Sequence, residues 1–202
     1  MKKPIWIVFE GIDGSGKTTQ AKMLKDYLNK NGVKTLYKHI FDSQAGKLLR
    51  DIFINNTLGN KTEILILCAT RQAFFEEIVL DENKYDVILV DRLFLSILAM
   101  QGINDKDIEL INYIRGNICE ERTPNFVFYM NTLPDECKRR LSNQGTQDRI
   151  EKKSLKFHEL VYKRYSDLLN NEKNVYIFNG NNDISSIHQN IVEKALMVLD
   201  LD

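Results

Sequence analysis

Gly11, Gly14, Gly16, Lys17 and Thr18 fall at the spacing G-x-x-x-x-G-K-[ST] inside the stretch FEGIDGSGKTTQ, Phe9 to Gln20. A loop of this kind turns successive backbone amides toward an anion, while its Lys reaches the outer phosphates of a nucleotide and its hydroxyl faces Mg²⁺. Gly14, Ser15, Gly16, Lys17, Thr18 and Thr19 are therefore expected to line a nucleotide phosphate site. A glycine-rich turn that merely joins a strand to a helix would not account for a Lys followed by two threonines. Asp91-Arg92 forms a second chemistry-bearing pair, closing the apolar run Val87 to Val90. Ligands gather at the carboxyl ends of parallel strands, so an acid there suits the support of Mg²⁺. The adjacent Arg suits a bidentate grip on a second phosphate. The competing reading of this pair is a strand-end salt bridge. Asn83-Lys84-Tyr85-Asp86 matches the guanine-reading pattern N-K-x-D, but it precedes a buried strand instead of following one, and it reads as a polar turn.

For these residues to meet, strands must deliver the loop and the Asp-Arg pair to one edge. Ile5 to Phe9 is continuously apolar, as in a strand buried on both faces of a parallel sheet. From Lys17, the positions Ala21, Leu24 and Leu28 make a helical face that ends near Asn31-Gly32, where Gly32 suits a left-handed cap. Val33 to Tyr37 reads as a second strand, Gly46 to Ile54 and Thr62 to Leu80 as consecutive helices, and Leu93 to Met100 as a helix after the third strand. Ile108, Ile111, Ile114 and Ile118 mark another helix. Phe126 to Met130 is a fourth strand, and Pro134 fits the first turn of the helix after it. Leu141 to Gln147 lacks an apolar period and reads as a mobile loop. Phe157, Leu160, Val161, Tyr165, Leu168 and Leu169 stripe a long helix, Val175 to Phe178 is a fifth strand, and Ile184 to Leu199 closes the chain as a helix. This alternation predicts a three-layer α/β fold, a five-stranded parallel sheet with helices on both faces.

The chain has 202 residues, enough for a single domain over 1–202 with a substantial core. Its 28 basic and 28 acidic residues leave no net field to attract a nucleic acid polymer or an anionic membrane. The start, MKKPIWIVF, has the charge and apolar order of a targeting segment, but the apolar run stops at Glu10 and reads as a strand. No run approaches the ~18 apolar residues of a membrane span. Cys68, Cys119 and Cys137 are widely spaced and odd in number, the pattern of reduced thiols in a cytoplasmic protein. His39, His158 and His188 do not cluster and read as surface or core-edge residues, and Phe74 and Phe75 read as core.

Taken together, several segments resemble thymidylate kinases. Phe9 to Gln20 is similar to the family's phosphate loop, and Asp91-Arg92 with Ser96 to Gly102 to its D-R-[YH]-x-x-S…A-x-Q-G segment. Thr70-Arg71-Gln72-Ala73 with Glu76-Glu77 resembles the base-binding helix, and Asp148-Arg149-Ile150-Glu151 continues the match in family order. The resemblance implies transfer of the ATP γ-phosphoryl group to dTMP, with Mg²⁺, by a cytoplasmic homodimer. Carried over residue by residue, Gly11, Gly14 to Thr19 and Arg140 would serve ATP, and Thr18 with Asp91 would support the metal. Lys17, Arg92, Arg149 and Asp13 would form the catalytic set, Arg92 on the acceptor phosphate and Asp13 on the acceptor sugar. Arg71, Leu67, Ser96, Met100 and Gln101 would complete the acceptor site, Arg71 reading a thymine carbonyl. A lid at about 141–149 would exclude water.

This sequence departs from the family's pattern at several points. Leu67 stands where a Phe usually stacks on thymine, Met100 replaces an aromatic near the sugar, and Leu93 replaces an aromatic or His. Ser142 and Gln144 occupy lid positions where relatives with a loop like this one carry arginines, which turns attention to Arg140 and Arg149. KHIFDS, Lys38 to Ser43, lacks the Arg-Glu-Pro-Gly-Gly segment of bacterial relatives, with Arg50 as a substitute. The alternatives are a related P-loop kinase for another nucleotide or nucleoside, or a nucleotide-binding module without catalysis.

Overall fold

Alternating apolar side chains point to opposite faces of a strand, and both faces of the central strands here carry apolar side chains. In the computed structural model, which describes residues 3–119, 123–143, 148–170 and 172–201, those strands are β1 (Ile5–Glu10), β3 (Val87–Asp91) and β4 (Phe126–Asn131). With β2 (Thr35–His39) and β5 (Val175–Asn179) they form one sheet in the order β2-β3-β1-β4-β5, parallel at every pairing. Ile7 and Phe9 of β1 pack on one face with Ala21, Leu24 and Leu28 of α1 (Lys17–Lys30) and Ile187 and Ile191 of α8 (Ile184–Leu199). Trp6 and Val8 face the opposite layer, built by α2 (Gln44–Asn55), α3 (Asn60–Val79), α4 (Phe94–Gln101) and α5 (Asp105–Asn117). Beside β4 that layer continues through α6 (Pro134–Ser142) and α7 (Leu155–Leu169), with Tyr129, Cys137 and Tyr165 buried together. The three-layer arrangement agrees with the expectation from the sequence.

Differences are local and have identifiable causes. β2 begins two residues later than its apolar pattern, because the Val33 amide is committed to the Leu28 carbonyl at the end of α1 (3.0 Å). Gly32 takes the left-handed conformation expected of it, at φ 83°. Ile118 lies past the end of α5, where the Ile118 and Cys119 amides both donate to the Ile114 carbonyl, and its side chain is exposed. Leu160 is exposed on the outer side of α7, so the stripe there is narrower than the spacing implied. Leu141 and Ser142 extend α6 instead of opening a loop, and Arg149 to Lys152 fold as turns; Gln144 to Gln147 lie outside the described residues. Phe74 and Phe75 are buried, as expected, and no helix among the described residues is long and apolar enough to cross a membrane.

Candidate active site

The carboxyl ends of the central strands open onto a cleft of about 1050 Å³. At one end β1 runs into the glycine loop and the loop into α1, so the helix's unpaired amides face the cleft. Gly14 is held at φ 80° and packs so closely on α6 that a Cβ would lie 2.6 Å from the Cys137 carbonyl oxygen. The Ser15 carbonyl accepts from the Thr132 hydroxyl at 3.0 Å, which ties the loop to the end of β4. Lys17 folds back, its Nζ donating to the Ile12 carbonyl at 2.8 Å and to Ser15 Oγ at 3.4 Å. Burial lowers its ammonium to about 8, with Arg92 pushing the same way and Asp13 and Asp91 opposing. Thr18 and Thr19 are exposed to the cleft. Gly11 does not line the cleft; its carbonyl accepts from Arg92 Nη1 at 3.0 Å.

Asp91 ends β3 with one carboxylate oxygen committed and one not. Oδ2 accepts from the Thr18 hydroxyl at 2.5 Å and the Tyr37 hydroxyl at 3.1 Å, while buried Oδ1 has no donor among the described residues. An orphaned carboxylate oxygen next to a threonine hydroxyl and a phosphate loop fits Mg²⁺, a hard cation usually held by one or two protein oxygens plus substrate phosphates. No group of three or more His, Cys, Asp or Glu that could hold a metal occurs among the described residues.

Arg92 has a left-handed backbone, φ 72°, a conformation that costs a non-glycine residue roughly 1–3 kcal/mol. Two bonds hold it there: the Arg92 amide donates to the Phe9 carbonyl at 3.0 Å and the Leu93 amide to Glu10 Oε1 at 2.8 Å. The buried guanidinium pairs with the Asp13 carboxylate and donates from Nη1 to Ser96 Oγ (3.3 Å) and Tyr165 Oη (3.4 Å). Those two hydroxyls in turn donate to Glu10 Oε2, at 2.6 and 2.8 Å. Burial alone would raise the Asp13 carboxyl, but Arg92 and Lys17 outweigh it and hold the group below the ordinary carboxylate range. Burial also pushes the Tyr165 phenol well up, with Glu10 adding to it, so this hydroxyl keeps its proton.

At the far wall α3 supplies Leu67 and Arg71. Arg71 is 1% exposed; it donates to the Leu67 carbonyl (3.1 Å) and the Leu93 carbonyl (3.0 Å), and burial lowers it to about 10. Its Nε has no acceptor among the described residues. Across from it Gln101 donates from Nε2 to Glu63 at 3.3 Å, and its Oε1 has no donor among them. Met100, Ser96 and Phe53 line the same cleft. Arg50 also lines the cleft, its guanidinium 3.6 Å from Asp148 and over the Phe41 ring.

The two candidate arginines of the α6–α7 segment part company. Arg140 lines the cleft near Gly16, held by Glu136 and the Gly180 carbonyl, both at 2.7 Å. Arg149 does not line the cleft; it donates to the Phe53 carbonyl, pairs with Glu63 at 2.8 Å and covers the Phe53 ring. A buried carboxylate and an aromatic face give it a better resting place than open cleft. Ser142 donates to the Lys138 carbonyl on its own helix. The N-K-x-D match is a polar turn, its Asp86 accepting the Lys34 amide at 2.9 Å.

Glu10, Tyr37, Tyr165 and Glu63 escaped the sequence reading. A charged residue ending a buried apolar run was the available signal for Glu10; Tyr165 and Glu63 were hidden in helical patterns. His39 lies nearer the chemistry than its isolation suggested, lining the cleft, stacked on Phe41 at 5.3 Å and lowered to about 4 by burial.

Comparison with known proteins adds a family to this geometry. A family model described as thymidylate kinase matches residues 9–191. A thymidylate kinase of Finegoldia magna is 33% identical over 199 residues, covering 94% of this chain and 96% of the relative. One from Kosmotoga olearia is 28% identical over 96% and 97% of the two chains, and one from Buchnera aphidicola is 29% identical over 100% and 99%.

Proposed function

Because the chain belongs to the thymidylate kinase family, we infer that it transfers the γ-phosphoryl group of ATP to dTMP, giving dTDP and ADP. One observation carries the assignment: a single cleft is lined both by a phosphate loop and by Arg71 and Gln101, which offer a buried donor and a buried acceptor without partners among the described residues. The donor is Arg71 Nε–H and the acceptor Gln101 Oε1, complementary to the carbonyl and the N3–H of a thymine edge. Leaving such groups unpaired costs about 1–3 kcal/mol each, which a matching base offsets.

In this reading the amides of Gly14 to Thr19 and Lys17 hold the donor phosphates, with Arg140 beside them. Lys17 gives up the Ile12 carbonyl to do so. Arg92 binds the acceptor phosphate, which competes with Asp13 for the guanidinium; the released Asp13 carboxylate is then available to a sugar hydroxyl. Ser96 and Tyr165 keep the Arg92 fork in place, and Leu67 and Met100 pack on base and sugar. Phosphoryl transfer asks little covalent chemistry of a protein, only two phosphates in line and their growing charge balanced, which is the part Lys17 and Arg92 take. Thr18 and Asp91 would hold Mg²⁺, which supplies further charge neutralisation on the donor phosphates. Arg149 would reach this centre only by leaving Glu63 and Phe53, and Arg140 is the better-placed cation.

Residues 1–202 are read as one domain with the α6–α7 segment at about 141–149 as its lid, supported by a single sheet that all three apolar clusters share. Buried Cys68 and Cys137, both free thiols, support a cytoplasmic setting. A homodimer is supported by exposed Leu48 and Ile52 on α2 and exposed Leu65 on α3, the helix that packs against α2, and light scattering tests it.

An ADP-release assay across dTMP, dUMP, UMP, CMP, dGMP and a nucleoside tests the assignment, with fastest turnover expected for dTMP. No turnover with any monophosphate overturns it, and preference for another acceptor would favour a related kinase, the reading that Leu67 and Met100 support. Arg92→Ala should lower kcat/KM for dTMP by about 100-fold or more, the loss of a charge-assisted fork, with ATP-analogue affinity within about threefold. An equal loss of ATP affinity would remove Arg92 from the acceptor role.

A further inference from the structure

A carboxamide is nearly symmetric in shape but opposite in hydrogen bonding at its two ends. Which end of Gln101 faces the cleft therefore decides which base edge it can meet. Oxygen toward the cleft accepts the N3–H of thymine or uracil; nitrogen toward the cleft would suit cytosine, whose N3 is an acceptor.

The orientation of this amide is fixed from outside the cleft. Gln101 Nε2 donates to Glu63 Oε2 at 3.3 Å, and Glu63 is a buried carboxylate that can only accept. Glu63 is itself held by Arg149, 2.8 Å away on its other oxygen, and by its place in the first turn of α3. Asn60, the first residue of α3, donates to the Gln101 backbone carbonyl at 2.9 Å, so the start of α3 grips both the main chain and the side chain of Gln101. Turning the amide over would set its oxygen against the Glu63 carboxylate, a repulsive contact in a buried place. The Gln101 oxygen is thereby left as a buried acceptor without a donor among the described residues.

We propose that Glu63 is a positioning residue for acceptor specificity: by accepting from Gln101 Nε2 it locks the amide oxygen toward the cleft and selects bases that carry an N3–H over cytosine. This rests on the nucleoside monophosphate kinase reading above. Glu63 does not line the cleft and reaches the base through Gln101.

The test is the ratio of kcat/KM for dTMP to that for dCMP, measured with ATP in wild type, Glu63→Gln, Glu63→Ser, Gln101→Met and the double variant Glu63→Gln/Gln101→Met. Both Glu63 replacements can donate as well as accept, which lets the amide turn. Each should lower the ratio about tenfold or more, mainly through a higher KM for dTMP, with the KM for ATP unchanged. Adding Glu63→Gln to Gln101→Met should change the ratio no further, since the partner it acts through is gone. General damage to the fold lowers both substrates together and leaves the ratio alone. A ratio within twofold of wild type in the Glu63 variants, or an equally large drop from Glu63→Gln in the Gln101→Met background, overturns the proposal. Wild-type enzyme that fails to use dTMP overturns the function reading instead.

Discussion

At the scale of single residues the site is a set of charges held short of their partners. Lys17, lowered to about 8 by burial, is fully an ammonium only below that pH in the ligand-free protein. Affinity for a non-hydrolysable ATP analogue should be flat from about pH 6.5 to 7.5 and fall by up to about tenfold per unit above 8, with proton uptake on binding visible by calorimetry in two buffers. Unchanged affinity at pH 9.5 would remove Lys17 from the phosphate contacts. For stability the sign is opposite: the folded value lies below the ordinary 10.5, so the unfolded chain binds more protons between about 8 and 10.5 and this group's contribution improves as pH rises through that window. Glu10 poses a different test. It fixes the Leu93 amide and the two hydroxyls that steady Arg92, so Glu10→Gln should reduce kcat/KM for dTMP by roughly tenfold and leave ATP binding intact, one hydrogen bond's worth of misplacement. A parallel fall in ATP affinity would show that Glu10 supports the loop as a whole.

At the scale of elements, the phosphate loop is shaped as much by α6 as by its own sequence. Gly14 combines a left-handed backbone with contact against Cys137 and Leu141, whereas Gly32 is left-handed with nothing within 4 Å of a built Cβ. Gly14→Ala should therefore cost roughly 2–3 kcal/mol and lower Tm by about 4–12 °C, against about 1 kcal/mol for Gly32→Ala. Equal losses in thermal denaturation would mean that α6 yields freely and the packing argument fails. The helices were legible from their apolar spacing, α8 to the residue, because that spacing repeats over four turns. The start of β2 was not, since Val33 carries a strand-like side chain while its amide closes α1. Arg149 shows the same limit: its place in a motif suggested a phosphate contact, but the carboxylate that claims it lies on a helix nearly ninety positions earlier.

At the scale of the whole molecule, donor and acceptor meet because a parallel sheet brings the carboxyl ends of β1 and β3 together. Ligands that bind only this assembled cleft must stabilise the fold by mass action. dTMP, or a non-hydrolysable ATP analogue, at about 100 times its Kd should add about 2.7 kcal/mol and raise Tm by roughly 5–10 °C. A shift from the ATP analogue but none from dTMP would detach the acceptor assignment while leaving the donor site. The phosphate loop, the Asp-Arg pair and the alternation of strands and helices can be read from the chain without its fold, because each is local: a few adjacent residues fix backbone geometry or a repeating face. Tertiary structure alone decided which atoms remain unpaired. Whether Arg71 Nε, Gln101 Oε1 and Asp91 Oδ1 are committed or left for a ligand depends on what Leu93, Glu63 and Thr18 have already taken, and those partners arrive from distant segments through packing that no local pattern encodes.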